Sequence, residues 1–174
     1  MSKKNPADLI SELVLDLSLV TSLPVGANGR DYVRASAAAS SMANQTSKMD
    51  KKDIRNYEWT IPPVLNILIV DIDHPVAAKA ALALRTLMCS RICMNRLIES
   101  NGLPTIAKVL DIMLAKRTAE LRNAKSDTHV LVENLTVCYR EIARFHPWEI
   151  VNVGAIRHCV IILRNGDVSL IAIA

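Results

Sequence analysis

Apolar positions recur along the last two-thirds of this chain in a pattern that appears three times. The copies are Trp59–Leu68 (Trp-Thr-Ile-Pro-Pro-Val-Leu-Asn-Ile-Leu), Asn101–Leu110 (Asn-Gly-Leu-Pro-Thr-Ile-Ala-Lys-Val-Leu) and Gly154–Leu163 (Gly-Ala-Ile-Arg-His-Cys-Val-Ile-Ile-Leu). With Ile61, Leu103 and Ile156 aligned, each copy is apolar there and at the third, fourth, sixth and seventh residues beyond. That spacing places an apolar stripe on one face of a helix. Ile61 and Leu103 stand 42 residues apart, Leu103 and Ile156 stand 53 apart, and no strand-type alternation intervenes. A period near 40 residues without strands predicts an α-helical solenoid, because each helical repeat buries its apolar face only by stacking on the next.

The same pattern predicts the elements. Pro6 and Asp8 sit where a helix would start, and Leu9, Leu13, Leu17 and Val20 would line one face of it as far as Leu23. Pro24, Gly26 and Gly29 end it, and the Ala- and Ser-rich residues 31–47 predict a second helix. A polar loop or short exposed turn is expected from Ser47 to Arg55. Residues 1–58 thus read as an N-terminal helical cap, partly flexible around residues 26–30 and 47–52. Beyond it, a short helix is expected over residues 61–70 and a turn at residues 71–75, with Asp73 capping a helix that holds Pro75 in its first turn. That helix runs from Val76 to about Ser90, and Met94 to Ser100 adds another apolar turn before the break at Asn101-Gly102. The next helix continues past Asp111 toward Asn123, and an insertion of about 11 residues relative to the first spacing falls between Ala115 and Thr128. A long helix over residues 130–145 carries Leu131, Leu135, Cys138 and Ile142 on one face and stops at Pro147. The units are therefore 59–100, 101–153 and an incomplete 154–174, with a turn at Asn165-Gly166-Asp167.

Composition narrows the class. Half the chain is apolar, yet it holds only two Trp, three Tyr and one Phe, so the core is built from Ala, Leu, Ile and Val. No apolar run reaches the roughly 18 residues of a membrane span, and Asp8, Glu12 and Asp16 are out of place in a targeting peptide. A cytoplasmic protein is expected, the nucleus being the other compartment open to it, with no membrane partner. Cys89, Cys93, Cys138 and Cys159 lie inside apolar helical patterns and are expected to be reduced core thiols.

Charge and motifs exclude more than they assign. The net charge of +4 is spread along the chain, and nowhere do basic residues gather with aromatic ones into a platform for bases or phosphates. The most basic stretch, residues 115–127, holds Lys116, Arg117, Arg122 and Lys125 but also Glu120 and Asp127. It supplies the alternative reading, a helical-repeat protein that binds nucleic acid through its 116–125 insertion. Cys89 and Cys93 could share a helix face, but a tetrahedral zinc site needs four ligands, and His158-Cys159 is accounted for by its own helical pattern. No metal and no cofactor are expected. The four cysteines and His74, His129, His146 and His158 form no local nucleophile-base arrangement, and Gly26-Ala-Asn-Gly29 lacks the lysine-serine of a phosphate loop. Asp71 and Asp73 are explained by a repeat turn, so the chain is not expected to be an enzyme.

The repeat residues resemble those of the armadillo family. Gly154–Asp167 is similar to the family's glycine-alanine-isoleucine opening, second helix and glycine-aspartate turn. Asp73–Leu87 resembles its turn and long third helix, and Asn95–Gly102 its closing segment. The resemblance covers residues 59–174, HEAT repeats being the nearest alternative. It implies a right-handed superhelix of about three repeats whose third helices line a concave groove for peptides or partner proteins. Peptide-binding members carry a tryptophan and, four residues later, an asparagine on that helix. Leu82 and Thr86 stand at those positions in the first repeat, and Val130 and Asn134 in the second, so only Asn134 matches. The resemblance therefore implies a general protein-interaction scaffold rather than a receptor for nuclear-localisation signals. The groove is expected over residues 79–88 and 130–143, with Leu82, Arg85, Thr86, Val130, Asn134 and Cys138 facing the partner.

Two further expectations concern single residues. Trp59 and Trp148, each near a repeat boundary, are expected to pack between repeats, with an exposed partner anchor as the alternative. The stretch Val168–Ala174 is expected to leave Leu170, Ile171 and Ile173 exposed as an apolar patch, covered by self-association or by a continuation of the chain.

Overall fold

Apolar stretches at helical spacing, rich in alanine in two of them, set the helices of this protein. The computed structural model describes residues 8, 10–15, 29–70, 72 and 75–174, and the described residues contain helices and turns but no strand. Residues 10–15 form α1, followed by α2 (Gly29–Thr46), α3 (Lys51–Ile54) and a 3-10 segment, Arg55–Thr60. Next come α4 (Ile61–Val70), α5 (Pro75–Leu87), α6 (Arg91–Glu99) and α7 (Gly102–Lys116). A second 3-10 segment, Thr118–Arg122, leads to α8 (Asp127–Ala143), α9 (Pro147–Asn152), α10 (Ala155–Asn165) and α11 (Val168–Ile171).

The helices pack in two rows. In one, α5 lies between α2 and α8; in the other, α7 lies between α4 and α10. Cross-contacts between α4 and α5, and between α7 and α8, tie the rows together, while α6 and α9 bridge each long helix to the next element. Buried Ala77, Ala78, Ala80, Ala81 and Ala83 keep α5 thin, which lets its neighbours approach on several sides. Side chains this small lose almost no rotamer freedom on burial.

Junction geometry repeats with the rows. Asn101 (φ 57°) and Gly154 (φ 82°) each hold a left-handed backbone immediately before α7 and α10. They occupy the same register position, one residue before Gly102 and Ala155. The two-residue connection from α6 to α7 and from α9 to α10 is thus built alike.

Several expected boundaries moved. The helix expected to reach Ser90 ends at Leu87, because Ser90 is extended (φ −106°, ψ 126°) and starts α6 three residues earlier than expected. Residues 47–55 are not all loop, since Lys51–Ile54 is helical and Ile54 is buried. The helix expected to run toward Asn123 stops at Lys116 and gives way to the 3-10 turn. Within α1, Ile10 and Val14 are buried and Leu13 only partly so, which turns the expected Leu9–Leu13 face by about one residue. Leu9, Leu17, Val20, Asp73 and the turn around Gly26 lie outside the described residues. In α8, Leu131, Leu135, Cys138 and Ile142 are all buried, as their spacing requires.

The C-terminal stretch differs most. Leu170, expected to be exposed, is fully buried, and Ile171 remains 40% exposed. The Asp167 carboxylate caps α11 by accepting from the Leu170 amide at 3.0 Å, an N-cap arrangement that supplies one orphan donor with a partner. These hydrogen bonds, from the Leu170 amide first and the Ser169 hydroxyl second, hold the Asp167 carboxyl below its usual range. Ser169 reaches inward as well, its hydroxyl 3.3 Å from Nε2 of the buried His129. The Nδ1 of that ring lies 2.9 Å from the Leu121 carbonyl, so one imidazole joins the insertion, α8 and α11.

Candidate functional site

The row formed by α2, α5 and α8 presents the candidate face, and it is built from what each helix leaves unburied. On α5 the half-exposed residues are Lys79, Leu82, Arg85 and Thr86, which share one side of the helix, and the exposed Cys89 follows just beyond its end. On α8 the corresponding line is Val130, Glu133, Arg140 and Glu141, and on α2 it includes Ser40, Ser41 and Asn44.

Polar contacts between the helices fix this face. Arg85 Nη1 donates to Asn134 Oδ1 at 3.1 Å and lies 3.7 Å from Glu133. Asn134 Nδ2 in turn donates to the Val130 carbonyl at 2.8 Å. On the other side of α5, the Thr86 and Thr46 hydroxyls meet at 2.5 Å, one donating to the other, and each lies within hydrogen-bond distance of a carbonyl of its own helix. Next to that pair is an open cavity of about 290 Å³ between α2, α3 and α5, lined by Met49, Lys51, Ile54, Arg85, Thr86 and Cys89 among others.

The six residues singled out from the sequence therefore divide. Leu82, Arg85, Thr86 and Val130 lie on the common surface. Asn134 is only 2% exposed, and both ends of its amide are occupied, so it supports Arg85 from below. Cys138 is fully buried, and burial pushes its thiol up to about 12; it is a packing residue. Sequence reasoning missed Thr46, Met49, Lys51 and Cys89, which complete the cavity wall. The Ala- and Ser-rich composition of residues 31–47 was the available signal, because a helix that small packs closely and extends the row.

The basic insertion is less open than its composition implies. Arg117 Nη1 lies 3.2 Å from Glu120 Oε1, and the other Glu120 oxygen accepts a short hydrogen bond from Thr128. The Thr128 bond first, and Arg117 after it, hold the Glu120 carboxyl below its ordinary range. Ser126 Oγ donates to the Glu120 carbonyl and accepts from the His129 amide. Lys116, Arg122 and Lys125 are exposed, but Arg117 is spent on holding the segment.

Cysteine placement corrects one expectation and allows a direct check. Cys89 is exposed rather than part of the core, while Cys93 and Cys138 are buried. Desolvation raises the Cys93 thiol to about 11, and the thiolate is the reactive form. Incubation with iodoacetamide near pH 8 should modify Cys89 first. Cys93 and Cys138 should react at appreciable rates only in denaturant, as read by the stepwise mass increase of intact protein. Early modification of Cys138 would contradict the packing of α8 on α5. Among the described residues no group of three or more His, Cys, Asp or Glu could hold a metal ion, and no helix is long and apolar enough to cross a membrane.

The aromatic residues also differ from expectation. Trp148 is 76% exposed rather than packed between repeats, and Trp59 is 43% exposed. Pro147 opens α9 with Trp148 directly after it, which turns the indole outward while Ile150 points to the core. Phe145 is half exposed under the Arg91 guanidinium, 5.2 Å above its ring, a cation-π contact.

No protein-family model, no curated protein and no solved structure matches this chain.

Proposed function

We propose that this protein is a non-catalytic interaction scaffold of the armadillo type, a right-handed solenoid that binds a protein or peptide across α2, α5 and α8. The observation that carries this reading is the row itself. Three long helices, α2 from the N-terminal segment and α5 and α8 from the two units after it, lie side by side, and each carries half-exposed residues. The matching left-handed junctions at Asn101 and Gly154 support repeat units of one design. An extended chain crossing such a row meets Thr86 and Arg85 on α5 and Val130 and Glu133 on α8, a mixture of polar and apolar groups suited to a polypeptide.

Nucleic acid fits less well. Binding to phosphates rests on unneutralised Lys and Arg, and Arg117 is paired with Glu120 in the insertion. The cytoplasm and the nucleus both remain compatible with the reading.

Photo-crosslinking tests it directly. A benzoylphenylalanine at position 82 or 130, on the proposed face, should form covalent adducts with protein in cell extract. The same group at the exposed Asn66 on α4 should not form those adducts. Adducts that vanish on nuclease treatment, or equal adducts from all three positions, would overturn the proposal.

A further inference from the structure

The outward face of α10 carries an exposed apolar stripe apart from the α2–α5–α8 row. Ile156, Val160 and Leu163 stand at the first, fifth and eighth positions of one stripe, and are 62%, 40% and 52% exposed. Their register equivalents in the earlier repeats are hidden. Ile61, Leu65 and Leu68 on α4, and Leu103, Ala107 and Leu110 on α7, are each at most 7% exposed. The reason is visible at one of them, since a Cβ placed on Gly102 of α7 would sit 2.9 Å from Leu65 Cδ1. Helix α7 thus lies directly on the α4 stripe, and α10 packs on α7 in the same row. The α10 stripe is the same docking surface with no helix on it among the described residues.

Charge defines what would cover it. Helix α10 contains Arg157 and Arg164 and no carboxylate. Both arginines are exposed and stand seven residues apart, on one edge of the stripe and about 10 Å from each other along the axis. Arg157 lies 3.7 Å from Asp111, and an exposed pair of that kind is weak. A second copy of α10 would bring only like charges to this edge. Beside the stripe is an apolar cavity of about 230 Å³, lined by Tyr139, Ile150, Ala155, Cys159 and Ile173 among others. Tyr139 is 4% exposed, and its hydroxyl has no hydrogen-bond partner among the described residues.

We propose that the α10 face docks an amphipathic helix of another protein, with apolar residues at the first, fifth and eighth positions and two carboxylates seven residues apart along one edge. The helix lies on Ile156, Val160 and Leu163 as α7 lies on α4, and its carboxylates meet Arg157 and Arg164. Helix-in-groove recognition of this kind is read through anchors at such spacing.

The test uses the full chain and two fluorescein-labelled synthetic helices of one Ala/Gln background. Both carry leucine at the three anchor positions; one has glutamate and the other lysine at the two edge positions. Fluorescence anisotropy should show the glutamate helix binding at least tenfold more tightly than the lysine helix, with the difference shrinking as salt rises. Val160→Asp should weaken binding at least tenfold. Ile69→Asp, on an equally exposed isoleucine of α4, should leave it unchanged, and circular dichroism should match the parent for both variants. Absence of binding, equal binding of the two helices, or binding indifferent to Val160→Asp would overturn the proposal. So would sedimentation of the unmodified chain as a dimer that Val160→Asp dissociates, since a second copy would then occupy the face.

Discussion

Leu84→Ala should lower the unfolding free energy by about 3 kcal/mol, which corresponds to a fall of roughly 6–12 °C in the thermal midpoint for a chain of this size. Leu84 is fully buried on α5, and α5 is the helix that touches α2, α4 and α8 together. The flanking alanines cannot move in to fill the space, because they already set the closest approach of the neighbouring helices. Removing three carbons there leaves a cavity as well as losing the transfer energy of the side chain. Leu82→Ala, two residues away but partly exposed, should cost about 1 kcal/mol or less. Urea titrations of both variants would measure the difference. Equal losses would mean that α5 is not packed on several sides as described.

The same helix shows how much of the fold was legible in the sequence. Its alanines identified α5, and the three-fold recurrence of apolar spacing identified α4, α7 and α10, because those signals are local and helical in period. Where the chain departs from helix for tertiary reasons, local signals pointed the wrong way. Lys116-Arg-Thr-Ala-Glu-Leu-Arg122 contains mostly good helix formers, yet it forms a 3-10 turn. Glu120 is held there by Arg117 and Thr128, Leu121 is buried, and the Leu121 carbonyl is tied to His129. Thr128 and His129 belong to the start of α8 and lie eight residues beyond their partners, outside the three- to four-residue spacing that helical periodicity reads. Leu170 misled in the opposite direction: a short apolar stretch looked uncovered, but the Asp167 cap and the contact between Ser169 and His129 fold it inward.

The candidate face was legible to about the same depth. The family resemblance, rather than helical spacing, singled out Leu82, Thr86 and Val130, and in the structure all three are half-buried. What the resemblance could not supply was the pairing of Arg85 with Asn134, 49 residues away. That hydrogen bond takes the amide that the family resemblance would use to hold a ligand backbone. Engagement of a peptide by Asn134 then needs Arg85 to swing away, so the proposed reading does not rest on that clamp.

Gly102→Val should be the other severely destabilising change, costing about 3 kcal/mol, and the reason is crowding rather than backbone conformation. A Cβ at Gly102 would lie 2.7 Å from Leu97 Cγ, 2.8 Å from the Leu97 carbonyl oxygen and 2.9 Å from Leu65 Cδ1. Leu65 could shift, but the carbonyl belongs to the backbone of α6, so α7 must move off α4 or α6 must distort. Overpacking of this sort typically costs 1–3 kcal/mol, and the two methyls of valine add to a clash that the Cβ alone creates. Gly154 provides the contrast, because nothing lies within 4 Å of its added Cβ, while its φ of 82° is left-handed. Gly154→Ala should therefore cost about 1–2 kcal/mol from backbone strain alone. Gly154→Asn should cost less, since Asn101 already holds the equivalent position at φ 57°. Chemical denaturation of the three variants should rank them Gly102→Val, Gly154→Ala, Gly154→Asn from most to least destabilised. A Gly102→Val protein as stable as the parent would mean that α7 does not seat on α4 at this distance, and the precedent for helix docking on α10 would fall with it.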